Sequence, residues 1–194
     1  IAMGYNITEY VNTMKALTRR EKQIKSFFEF SYDGYFFTML LSSAKFSEID
    51  MRTAEIIADC EVLTSFNKRL STMLDNHAFK TTGELYKVLG FNTDEIYEIY
   101  YKLLLGEMLR IEKRFESPIY GTKIFEITLA AIYSDDNEYE GNFGVVRDVT
   151  KEKQYVKELT YLANHDQLTG LYNRRHFYNK TNFLNNLSNV GKTY

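Results

Sequence analysis

Apolar positions along this chain change period several times, and the changes outline the elements. Within residues 5–30, Tyr10, Met14, Leu17, Ile24 and Phe28 recur at intervals of three, four and seven, while Lys15, Arg19, Arg20, Lys22 and Lys25 lie mostly on other faces. The spacing predicts an amphipathic helix that packs on a sheet or pairs with a second copy of itself. Ser31-Tyr-Asp-Gly34 is a turn signal, and the apolar run Tyr35 to Leu41 after it reads as a buried strand. A polar stretch from Ser42 to Arg52 interrupts the pattern. Ala54 to Leu63 then reads as a second strand turning near Asp59, with Cys60 as small buried packing. Residues 65–90 are mixed and predict several short helical pieces.

A well-marked helix starts at Phe91-Asn-Thr-Asp-Glu-Ile96. Asn92 can cap it, Glu95 stands three residues on to return the bond, and Phe91 and Ile96 are spaced as a hydrophobic staple. Its apolar positions run through Ile99, Tyr100, Leu103 and Leu104 to Gly106, a residue suited to a left-handed cap. Three strands follow: Glu107 to Glu116, Lys123 to Tyr133 and Asn142 to Arg147. The links between them are rich in turn residues. In the middle strand Phe125, Ile127, Leu129, Ala131 and Tyr133 make one apolar face. The other face mixes Ile124, Ala130 and Ile132 with Glu126 and Thr128. Such a sheet is expected to be covered on both faces, by helices on one and by the N-terminal helix or a partner chain on the other. Lys151 to Asn164 is helical again, capped by Asp148 or Thr150, with a stripe of Tyr155, Val156, Leu159, Leu162 and Ala163. Gly170 marks a turn. Asn173 can cap a last helix with Phe177, Leu184 and Leu187 on its stripe.

Composition narrows the function classes. The chain has 194 residues and a net charge of −2, which supplies no overall basic field for nucleic acid or anionic lipid. A single cysteine excludes an internal disulfide and CxxC metal sites, and it fits a reducing cytosol. No apolar run has the roughly 18–20 residues that cross a bilayer. The opening Ile-Ala-Met-Gly does not read as a natural start, so a longer parent is expected, with an upstream membrane anchor left open. Phosphate loops, nucleophile elbows and zinc-protease helices are all absent from the sequence, and no catalytic or metal-ligating set is assigned. The Asp135 to Glu140 run reads as a solvated hairpin loop. His77 is the one histidine placed to serve as a haem ligand in a sensor, and a lone histidine reads better as ordinary polar surface.

Two resemblances organise these elements. Residues Phe27 to Thr150 resemble a PAS domain in element order, most specifically in Gly144-Val-Val-Arg-Asp-Val-Thr150, which is similar to that family's G-x-x-R-D-[IV]-T close before a signalling helix. Asp166-Gln-Leu-Thr-Gly-Leu-Tyr-Asn-Arg-Arg175 resembles the opening D-x-L-T-G-L-x-N-R-R signature of GGDEF domains, the catalytic domains of diguanylate cyclases. That second resemblance implies that Asn173 bonds the guanine of GTP. It places a second guanine-contacting position, usually Asp, on Asn182, where an amide lacks the charged acceptor that two guanine N–H groups prefer. Asn173 reads at least as well as a plain helix cap. No Gly-Gly pair occurs in the chain, so the GG[DE]EF hairpin and the metal-binding aspartate have no counterpart before Tyr194.

The expectation is therefore an α+β protein with a PAS-like five-stranded antiparallel sheet and flanking helices. Residues 1–27 would be an N-terminal helix, 28–150 the sensor, 151–164 a signalling helix and 165–194 the start of a GGDEF domain. The chain alone would catalyse nothing. Its intact parent would resemble a diguanylate cyclase that condenses two GTP into cyclic di-GMP with Mg²⁺, in the cytoplasm. Tyr155, Val156, Leu159 and Leu162 would carry a homodimer. Phe36, Met39, Ile111 and Phe125 would wall a sensor cavity for an unknown small molecule. The alternatives are a ligand-free dimerisation scaffold, with its core filled by its own Phe and Tyr, and a regulator of a degenerate GGDEF domain.

Overall fold

A computed structural model describes residues 2–181, apart from 47, 78 and 179. The chain divides into two units between Val149 and Thr150. In the first, helix α1 (Ala2–Phe30) precedes β1 (Gly34–Ala44), α2 (Met51–Cys60), β2 (Val62–Phe66), α3 (Lys68–Met73), α4 (Thr82–Val88) and α5 (Thr93–Leu104). The meander β3 (Leu109–Ser117), β4 (Gly121–Tyr133) and β5 (Tyr139–Asp148) follows. All strands pair antiparallel in one five-stranded sheet of order β2-β1-β5-β4-β3, so the α+β expectation holds.

The sheet has one dry face. Phe36, Phe125, Ile127, Leu129 and Val146 are fully buried on it, beneath Ala54, Leu70, Leu85, Tyr86, Tyr100 and Leu103 from the helices. Period-two alternation turns Tyr35, Phe37 and Phe143 to the other face. There the last turn of α1 covers them: the Phe27 and Phe28 rings lie 6.1 Å from Tyr35, and Phe28 lies 5.8 Å from Phe37. The N-terminal helix thus covers part of the second face, as the half-apolar pattern required.

Local chemistry explains α5 in full. The Asn92 Oδ1 accepts from the Glu95 N–H at 2.9 Å, and the Glu95 Oε2 accepts from the Asn92 N–H at 2.9 Å. Phe91 and Ile96, the two staple positions, are both buried. At the other end Gly106 has φ 81°. The N–H groups of Gly106 and Glu107 reach the carbonyls of Leu103 and Lys102 at 2.9 and 3.0 Å, the paired bonds of a Schellman cap.

One expectation fails. Residues 51–60 form helix α2, where the apolar pattern predicts a strand from Ala54 to Leu63. Asp50 caps the helix, its Oδ1 accepting from the Thr53 N–H and hydroxyl at 2.7 Å each. Only Ala54 and Ile57 are buried, three positions apart, and they pack towards α5, while Ile56 is 55% exposed. An isoleucine-rich run mimics a strand unless its buried positions are known. Cys60 accordingly ends a helix and is exposed, rather than packed inside a strand.

Asn67, wholly buried, ties α1 to the sheet. Its Oδ1 accepts from the N–H groups of Tyr35 and Leu70, both at 3.0 Å, the second capping α3. Its Nδ2 donates to the carbonyls of Phe28 at 2.8 Å and Asp33 at 3.0 Å. Arg147, the arginine of the closing motif, grips Asp33 through both carboxylate oxygens at 3.2 and 2.9 Å and so pins the end of β5 to the turn before β1.

In the second unit, α6 (Thr150–Asn164) is followed by a turn built on Asp166. The Asp166 Oδ1 accepts from the N–H groups of Leu168 and Thr169 at 3.2 and 3.0 Å, and Gly170 takes φ 71°. The rings of Tyr161, His165, Tyr172 and His176 stack in that order, with centroids 4.0, 4.5 and 4.2 Å apart.

Candidate functional site

The most unusual chemistry of the first unit lies in its core. Glu61 follows α2 directly. Its N–H closes the helix on the Ile57 carbonyl at 3.0 Å, and its extended backbone (φ −75°, ψ 138°) starts the chain into β2. The residue is 5% exposed. Its Oε1 accepts from the Tyr139 hydroxyl at 2.7 Å. Its Oε2 accepts from the Asn142 Nδ2 at 2.6 Å and from the Tyr100 hydroxyl. The Tyr86 hydroxyl donates to the Asn142 Oδ1 at 3.4 Å, the Thr38 hydroxyl to the Asn142 carbonyl at 3.3 Å, and the Thr82 hydroxyl to the Glu61 carbonyl at 3.1 Å. The carboxylate thus holds groups from α5 and β5 directly, and the network around it extends to β1 and α4.

Burial pushes the Glu61 carboxyl above the ordinary glutamate value, against the hydrogen bonds from Tyr100 and Tyr139 that favour its charged form. Among the described residues no cation acts on it. Burial first, and then the charge of Glu61, raise the phenols of Tyr86, Tyr100 and Tyr139, which keeps all three as neutral donors. An ionised carboxylate withdrawn from water is tolerable only when hydrogen-bonded, and each such bond contributes about 1.5–3 kcal/mol.

Tyr139 has a second environment. Its ring meets that of Tyr133 edge-on, with centroids 5.9 Å apart. Both line a cavity of about 340 Å³ bounded also by Lys45, Phe46, Ile49 and Leu104. The Tyr133 hydroxyl donates to the carbonyls of Leu103 and Leu104 at 3.1 and 3.3 Å.

The residues expected to wall a sensor cavity are dispersed. Phe36 and Phe125 are fully buried core. Met39 is half-buried, on the face of β1 that carries Tyr35 and Phe37. Ile111 borders a separate cavity of about 290 Å³ with Phe91, Ile99 and Lys113. Tyr155, Val156, Leu159 and Leu162 are exposed on α6, from 43% to 66%. Asn173 caps the helical segment after it: its Oδ1 accepts from the His176 N–H at 2.9 Å and its Nδ2 donates to the Ala163 carbonyl at 2.8 Å. Asn182, Leu184 and Leu187 lie outside the described residues. The Nδ1 of His77, the haem candidate, sits 2.8 Å from the Leu74 carbonyl.

Glu61 was invisible in the sequence. Tyr100, Tyr139 and Asn142 stand 39, 78 and 81 positions from it, beyond the reach of any local pattern. The one available signal was a carboxylate set between the apolar runs of α2 and β2.

No protein-family model matches the chain. A curated relative, the cyclic di-GMP phosphodiesterase PdeB of Shewanella oneidensis, is 26% identical over 133 residues, which cover 64% of this chain and 16% of that protein. The match therefore spans only a minor part of the relative's length. Among solved structures, an RNA-binding light-oxygen-voltage receptor aligns with TM-score 0.52 at 11% identity, over 74% of this chain and 36% of its own. The PAS domain of a protein from Colwellia psychrerythraea aligns with TM-score 0.43 at 18% identity, over 67% of this chain and 97% of its own. These structural likenesses concern the fold alone.

Proposed function

We propose that the first unit, which has the fold of a PAS domain, is the sensory module of a bacterial signalling protein whose output is cyclic di-GMP. In this reading the module acts through α6 on a GGDEF domain that opens at Asp166. The observation that carries the proposal is the run Asp166 to Arg175, which begins two residues after the helix that follows the PAS fold. The partial likeness to a cyclic di-GMP phosphodiesterase supports the same chemistry of signal.

The intact parent would use GTP and Mg²⁺. Among the described residues no group of three acidic, histidine or cysteine side chains is placed to hold a metal, so no catalytic step is assigned to them. A hydrogen-bonded cap accounts for Asn173, and a guanine contact would have to use its remaining amide N–H or a rearranged side chain. The exposed stripe Tyr155, Val156, Leu159 and Leu162 is proposed as the homodimer surface of α6, because two GTP-loaded domains must face each other to make the product.

One observation favours a module without a small-molecule ligand. Phe36, Tyr86, Tyr100 and Tyr139, all at 0–1% exposure, fill the space between sheet and helices around Glu61. Such a module would pass on changes in its own packing or pairing.

The test is to purify the natural protein that carries these residues and to assay it with GTP and Mg²⁺, following cyclic di-GMP by chromatography. Synthesis whose rate changes when residues 34–149 are deleted supports the proposal. GTP binding without synthesis selects a degenerate GGDEF domain under PAS control. Absence of both GTP binding and synthesis refutes the cyclic di-GMP reading.

A further inference from the structure

We infer that Glu61 is a proton-uptake site at the heart of the module, and that taking up a proton rewires the hydroxyl ring joining α2 and β2 to α5 and β5, with Tyr139 as the member that turns. The inference concerns the first unit and stands whether or not the parent makes cyclic di-GMP.

The hydrogen bonds around Glu61 suit a carboxylate, and a proton arriving there competes with the donors already in place. Both oxygens accept: Oε1 from Tyr139, Oε2 from Tyr100 and Asn142. The groups facing the carboxyl are Thr38 from β1, Tyr86 from α4, Tyr100 from α5, and Tyr139 and Asn142 from β5, and none of them is a cation. A buried carboxylate paired only by neutral donors is poised to bind a proton, because the proton removes a charge that no cation among the described residues neutralises. Burial raises the affinity of Glu61 for that proton. It also raises the three phenols, so none of them ionises in its place.

Arrival of the proton on Glu61 converts one oxygen from acceptor to donor. The acid O–H needs an acceptor, and the oxygens hydrogen-bonded to the carboxyl are the phenolic ones of Tyr100 and Tyr139. Whichever phenol accepts must swing its own O–H away. Tyr100 is hemmed in by the Tyr86 ring, 6.1 Å away, and by Asn142. Tyr139 has the 340 Å³ cavity beside its ring. Space therefore selects Tyr139, and the change passes to β5 and to the Tyr133 ring edge-on against it.

The experiment is ¹³C NMR of the 194-residue chain labelled at the glutamate Cδ and tyrosine Cζ positions, titrated from pH 4 to 9. One glutamate should titrate above the ordinary carboxylate range, and its signal should be missing in Glu61→Gln. The Tyr139 Cζ, identified by its loss in Tyr139→Phe, should shift with the same midpoint. In Tyr139→Phe the Glu61 midpoint should move higher still, since a donor that favours the charged form is gone. The inference is overturned if every glutamate titrates in the ordinary range, if Tyr139 does not follow Glu61, or if Tyr139→Phe leaves the midpoint unmoved. Should Glu61→Gln fail to fold, the response of the midpoint to Tyr139→Phe still decides.

Discussion

Asn67→Asp isolates what holds the N-terminal helix to the sheet. The change is nearly isosteric at a fully buried position, so packing is preserved. The two acceptor bonds from Tyr35 and Leu70, at 3.0 Å, survive and gain about 1 kcal/mol between them from the new charge. On the other side two donor bonds vanish, and a carboxylate oxygen is set against the carbonyls of Phe28 and Asp33, at 2.8 and 3.0 Å from the present Nδ2. Stranding each buried carbonyl costs about 1–3 kcal/mol, so the net loss is about 3 kcal/mol. At roughly 2–4 °C per kcal/mol for a domain of this size, Tm should fall by about 6–12 °C. Near-UV circular dichroism of tyrosine is the suitable probe, because the chain has 16 Tyr and no Trp. Hydrogen exchange should show the last turn of α1 losing protection before the sheet does. Asn67→Ser keeps the cap of α3 and loses the two donor bonds without introducing a charge, so it should be milder than Asp. An Asp variant within about 0.5 kcal/mol of wild type would refute the claim that Asn67 fastens α1 through its amide N–H groups, since that lies inside the scatter of ordinary surface substitutions.

Three further outcomes follow from the packing. Burial raises the Glu61 carboxyl above its ordinary 4.5, so its ionisation opposes folding; the group's stabilising share is complete below about pH 4.5 and is lost as pH climbs through the raised value. Thermal melts should therefore show the advantage of wild type over Glu61→Gln shrinking as pH rises, and a constant gap would contradict the burial argument. Gly144→Ala would place a methyl 2.1 Å from Cζ and 2.2 Å from Cε1 of the fully buried Phe36 ring. Urea melts should show a loss at the upper end of about 1–3 kcal/mol, partly restored by Phe36→Leu, and additivity of the two changes would deny the contact. Leu159→Glu on the exposed stripe of α6 should turn dimers into monomers in sedimentation with little change in Tm, and an unchanged mass would remove α6 from the dimer proposal.

Features encoded within four or five residues were legible in the sequence. Asn92 and Glu95 announced the start of α5, Gly106 announced its end, and the alternation of Phe125, Ile127 and Leu129 gave the buried face of β4, because caps and side-chain periods are properties of adjacent backbone. The closing motif likewise marked the last strand through Gly144, where only a missing Cβ admits the Phe36 ring. Residues 51–60 show where local pattern stops deciding. Their apolar run suits a strand or a helix equally, and the Asp50 cap together with the packing of Ala54 and Ile57 against α5 selects the helix. Choosing the helix fixes where Glu61 falls, and from there only the tertiary fold could bring Tyr100, Tyr139 and Asn142 to its carboxylate. Their hydrogen bonds join residues far apart in the chain, and no neighbour of Glu61 in sequence carries a trace of them.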